Sequence, residues 1–132
     1  MISFDTNCLV RLAVADDPAQ TAAVTERIRA AIAAGERIIL LPVVFLELCW
    51  VLEKQYAASR SDFTSFAGKL LQSQAFHVEQ ADVLREALAR YAKGGDFADH
   101  LIVALTRAAG ATSLLSFDRK LQKAYPGFVL QP

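Results

Sequence analysis

Five carboxylates stand where an acid either caps a helix or does chemistry: Asp5, Glu47, Asp96, Asp99 and Asp118. Asp96 and Asp99 share the stretch "GGDFADHLIVAL", residues 94–105, three positions apart in front of an apolar helical run. Residues so spaced lie on one face of a helix. Asp96 after two glycines is also a good N-cap, and an acid in the first turn suits the helix dipole. Asp5 follows the apolar "MISF" and Asp118 follows "SLLSF". If both segments are strands of a parallel sheet, both acids project at its carboxyl edge, where α/β proteins bind ligands. Each also precedes a helical pattern and has a capping reading of its own. Glu47 interrupts "PVVFLELCWVL", which is otherwise apolar from Pro42 to Leu52. A buried carboxylate is costly unless paired or bound to a metal. The alternative is a solvated stripe, although Glu47 projects about 120° from Glu53 around a helix.

Carboxylates gathered in one pocket repel, and some stay protonated unless a cation neutralises them. One or two hard ions, Mg²⁺ or Mn²⁺, suit an all-oxygen set. His77 and His100 form no cluster with the cysteines, so a zinc site is not expected and both histidines read as structural or surface residues. A divalent ion among carboxylates suits phosphodiester hydrolysis, where it activates water and offsets charge on the transition state. It would also let a neutral protein handle a polyanion.

The elements that must position these acids alternate. Short strands are expected at 1–4, 37–41, 75–78, 112–117 and 128–130. Helices are expected at 6–15, 19–35, 43–56, 59–73, 80–93, from Asp96 to Gly110, and at 118–125. Asp16-Asp17-Pro18 is a capping turn, and apolar positions 83, 84, 87, 88 and 91 mark an amphipathic helix. Strands alternating with helices predict an α/β/α sandwich: a central, mainly parallel sheet of 4–5 short strands flanked by helices. Neither repeat nor linker interrupts the chain, so residues 1–132 read as one domain.

The 132 residues are 54% hydrophobic and 21% charged, with 14 basic and 14 acidic side chains and a net charge of 0. A general nucleic-acid coating protein would be basic, so contact with a polyanion has to be local or metal-mediated. Arg11, Lys93, Arg107, Arg119, Lys120 and Lys123 are candidates for phosphate contact, or plain surface. Cys8 and Cys49 lack metal or disulfide spacing. With neither a signal-peptide pattern nor an apolar run of membrane length, the expected setting is cytoplasmic, away from membranes. Phe45, Trp50, Tyr56, Phe63 and Phe66 lie in two consecutive helical segments, as core or as the walls of a groove for a partner.

"MISFDTNCLV", the Glu of "PVVFLELCWVL", "DFADHLIVAL" and "LLSFDRKL" occur in the order found in PIN-domain ribonucleases, which the chain resembles from Asp5 to Asp118. Its compact size resembles the VapC-type toxins of toxin–antitoxin pairs. The resemblance implies a metal-dependent endoribonuclease acting on RNA, a cognate antitoxin and a homodimer. It matches Asp5, Glu47, Asp99 and Asp118 to the family's acidic quartet and Asp96 to an extra acid of some members. Asp5 and Asp99 would then be primary metal ligands, with Asp96 a cap or outer acid. Glu47 would orient water or act as base, and Asp118 would complete a second site. Thr6, Asn7 and Ser116 would lend hydrogen bonds. A haloacid-dehalogenase-like phosphatase would need an acid where Asn7 stands, and a receiver-like module would need its acids together near the first strand. A PIN-like module that binds RNA or protein without cleaving is the remaining alternative.

Overall fold

The computed structural model describes residues 1–132. The chain is α/β, with seven helices and five short strands. It divides into two compact units, Met1–Ala81 and Asp82–Pro132.

In the first unit, β1 (Ile2–Ser3), β2 (Ile38–Leu40) and β3 (Phe76–Val78) form a parallel sheet in that order. Ile2 pairs with Ile38, and Ile38 with Phe76. Parallel neighbours need crossovers, which are supplied by α1 (Thr6–Ala13) with α2 (Pro18–Ala33), and by α3 (Pro42–Tyr56) with α4 (Arg60–Gln72). The helix starts follow local chemistry. Asp17 caps α2 through the amide of Gln20, with Pro18 in the first turn. Ser59 and Asp62 close a reciprocal capping box on α4. Extended Val14 ends α1 earlier than expected. Ile38, Leu40, Phe45, Leu48, Phe63 and Leu9 are fully buried and build this core.

The second unit opens with α5 (Ala81–Lys93), which buries Leu84, Ala87, Leu88 and Tyr91 on the expected face. Then come α6 (Phe97–Ala108), β4 (Leu114–Leu115), α7 (Arg119–Ala124) and β5 (Val129–Leu130). Strands β4 and β5 pair in parallel, Leu114 with Val129. Val103, Leu121, Tyr125 and Val129 pack together, with Leu114 and Phe128 against them.

The strands number five and pair in parallel, as expected. The hydrogen-bonded sheets, however, hold three strands and two, where one central sheet was expected. β1 and β4 are two residues each, too short to offer more than a few ladder bonds. No helix is long and apolar enough to cross a membrane.

Candidate active site

In the first unit the acids are placed by the β1–β2 pairing. Phe4 is buried and donates its amide to Ile39, so the chain leaves the sheet at Asp5. Asp5 caps α1, its Oδ1 accepting the Cys8 amide at 3.2 Å. α3 starts just past β2, beside α1, and Thr6 Oγ1 donates to Glu47 Oε1 at 3.0 Å. Burial and the Asp5 carboxylate both push the Cys8 thiol up, so it stays protonated. Asn7 is exposed at the same helix start.

Glu47 corrects a sequence expectation. It is exposed, on the solvated stripe of α3, with Val43 and Trp50 on the same face one turn to either side. Its position therefore carries no burial cost, and its hydrogen bond to Thr6 is what distinguishes it. The aromatic residues divide in the same way. Phe45 and Phe63 are core, whereas Trp50 is 59% exposed.

In the second unit Asp96 caps α6, its Oδ1 accepting the Asp99 amide at 3.1 Å. The capping reading of Asp96 is thus correct, and it holds Asp99 at a fixed place in the first turn. Asp99 is half-buried. Burial pushes its carboxyl above the usual carboxylate range, and the charges of Asp96 and Asp118 push it further. Asp118 caps α7, its Oδ1 accepting the amides of Lys120 and Leu121. Ser116 supports this turn, its hydroxyl accepting the Asp118 amide and its carbonyl accepting the Gln122 side chain. No group of three or more His, Cys, Asp or Glu side chains is assembled as a metal cage.

His100 is structural, as expected, but its partners were not legible in the sequence. It is 6% exposed, its Nε2 donates to the Gly94 carbonyl at 2.7 Å, and its Nδ1 accepts the Tyr125 hydroxyl. A Cβ at Gly95, where φ is +82°, would lie 2.6 Å from His100 Nε2. The glycine pair before Asp96 was the available signal: it lets the loop close on the ring and so sets where the α6 cap begins. His77 is exposed and faces Glu79.

The candidate cations fall into two groups. Arg11 is engaged by Asp16 and Gln20, and Arg107 by Glu86 and the rings of Tyr125 and Phe128. Lys93, Arg119, Lys120 and Lys123 are exposed and outside every ion pair.

The PIN-domain family model matches residues 2–126, from β1 past α7. The chain belongs to the PIN-domain family. It is also 31% identical over 90 residues to a VapC ribonuclease of Aquifex aeolicus (strain VF5), covering 67% of each chain. No solved structure gave a significant match. The match to this PIN-domain model spans both compact units and takes in all five acids.

Proposed function

We propose that this PIN-domain protein is a metal-dependent endoribonuclease, the toxin of a toxin–antitoxin pair, working as one domain of 132 residues. The observation that carries the proposal is Asp99, half-buried and held in place by the Asp96 cap, its carboxyl raised by burial and then by the charges of Asp96 and Asp118, in a chain similar to a VapC ribonuclease. An all-oxygen set with surplus negative charge fits Mg²⁺ or Mn²⁺. Asp5, Glu47, Asp99 and Asp118 would hold one or two ions, with Asp96 behind Asp99. When bound, the metal supplies a nucleophilic water and offsets charge on the phosphoryl oxygens.

The chain's own residues divide the remaining work. Asp5 and Asp118 each engage Oδ1 in a cap, which holds the carboxylate at the start of its helix, where it would serve as a ligand. Thr6 holds Glu47 by Oε1, so Oε2 is the atom to accept a proton from attacking water. Ser116 locks the Asp118 turn, and Asn7 offers a hydrogen bond to phosphate. The neutral net charge is consistent with local contact, through Arg119, Lys120 and Lys123.

The partners are RNA, a cognate antitoxin and a second copy of the chain, in the cytoplasm. An open pocket of about 380 Å³ in the first unit favours a protein segment there. It is lined by Val14, Leu52, Tyr56, Asp62, Phe66 and Lys69.

The test is cleavage of mixed tRNA and rRNA by purified protein with Mg²⁺, Mn²⁺ or EDTA, beside Asp5→Asn and Asp99→Asn. Discrete fragments that vanish with chelator and with both substitutions are expected. Binding without cleavage in both metals would favour the inactive PIN-like module, and cleavage surviving Asp5→Asn would place the active site elsewhere.

A further inference from the structure

The chain has eight phenylalanines. Five of them, at 4, 45, 63, 76 and 97, are buried, and Phe66 and Phe128 are half-buried. Phe117 alone is exposed, at 78%, and it immediately precedes Asp118. We infer that Phe117 is a stacking platform for an unpaired nucleobase of the RNA, next to the bond that is cut.

Three observations carry this, on the reading of the chain as a ribonuclease. The first is rigidity. Ser116 donates its amide to Leu130, its hydroxyl accepts the Asp118 amide, and its carbonyl accepts Gln122. Asp118 is tied into α7 by two further hydrogen bonds. The backbone on both sides of Phe117 is therefore fixed, and the ring is presented with little left to order on binding.

The second is the company the ring keeps. Phe117 is followed by Asp118 and then by Arg119 and Lys120, both exposed and outside any ion pair. An aromatic face beside unengaged cations is the arrangement that binds single-stranded nucleic acid, bases on the ring and phosphates on the cations. The third is polarity. Leu115 and Leu130 are exposed on the neighbouring strands, but Ser116, Asp118, Arg119 and Lys120 surround Phe117 in the chain. A protein partner's apolar patch would demand a continuous apolar surface there, and a base does not. Stacking requires a base outside a duplex, so the preferred substrate is unpaired RNA, a loop or a single strand.

The experiment measures kcat/KM for wild type, Phe117→Ala, Phe117→Leu and Phe117→Trp on one cleavable RNA. Each is also tested on versions with an abasic nucleotide on either side of the cut. Thermal melting and light scattering are run on each protein. Phe117→Ala and Phe117→Leu should lose about 5- to 100-fold, and Phe117→Trp should retain activity. An abasic nucleotide at one of the two positions should cost wild type a similar factor and cost Phe117→Ala nothing more, because one contact is lost only once. Melting and molecular mass should stay unchanged. Equal rates for wild type and Phe117→Ala, full activity in Phe117→Leu, or additive losses would overturn the inference. A changed mass would assign the ring to protein association instead. Wild type that cleaves no RNA at all would bring down the ribonuclease reading, and this inference with it.

Discussion

Thr6 reaches across 41 positions of sequence to donate its hydroxyl to Glu47 Oε1 at 3.0 Å. The bond joins the first turn of α1, capped by Asp5, to the middle of α3. It exists because β1 and β2 are parallel neighbours whose helices leave from the same edge.

Replacing Thr6 should therefore act on chemistry rather than stability. Glu47 is exposed and Thr6 only half-buried, so Thr6→Val should change stability by no more than about 0.5 kcal/mol. On the role proposed for Glu47, loss of the hydrogen bond that orients its carboxylate should lower kcat about 10- to 100-fold. Thr6→Ser keeps the hydroxyl and should restore the rate. Melting curves beside cleavage rates decide it.

Asp99 carries the opposite trade. Its carboxyl is raised by burial and by two neighbouring acids, so the folded chain favours the protonated form. That preference favours folding in acid and is lost as pH rises through the folded value. At neutral pH the ionised group is a liability. Asp99→Asn should melt higher than wild type at pH 7 and differ little at pH 3, while cleaving RNA at least about 100-fold more slowly. Mg²⁺ should raise the wild-type melting temperature and leave Asp99→Asn nearly unmoved. A substitution that lowered melting at pH 7 would contradict this account.

His100 bridges two partners. His100→Leu leaves the Gly94 carbonyl unpaired and takes away the acceptor of the Tyr125 hydroxyl, which keeps Arg90 as a donor, at about 1–3 kcal/mol for the carbonyl. Gly95→Ala adds a Cβ into the ring and forces a side chain onto a left-handed backbone, for about 1–3 kcal/mol. Both should be seen in denaturant unfolding. Hydrogen exchange should quicken first at the start of α6, where the loop meets the Asp96 cap.

The capping box of α4 gives a pH signature of the usual sign. Hydrogen bonds from Ser59 hold the Asp62 carboxyl below the ordinary range. The stability it adds is present above the unfolded value and disappears as pH falls through the folded one. Ser59→Ala should cost about 1 kcal/mol at neutral pH. It should also move the Asp62 titration, followed by NMR, upward toward its ordinary value.

Much of this architecture is legible in the sequence because the rules that set it are local. Element order, the caps at Asp5, Asp17, Ser59, Asp96 and Asp118, and the buried face of α5 all depend on residues within about one helical turn. The acidic motifs and their order, which point to the PIN-domain family, were legible in the same way. Tertiary structure decided the rest. It put Glu47 on an exposed stripe and gave it Thr6 as a partner. It buried His100 between Gly94 and Tyr125, and left Phe117 bare beside Asp118. It also divided five short strands into sheets of three and two. A cap needs only its own first turn, whereas these contacts depend on which face each helix turns inward, and packing of segments far apart in the chain determines that.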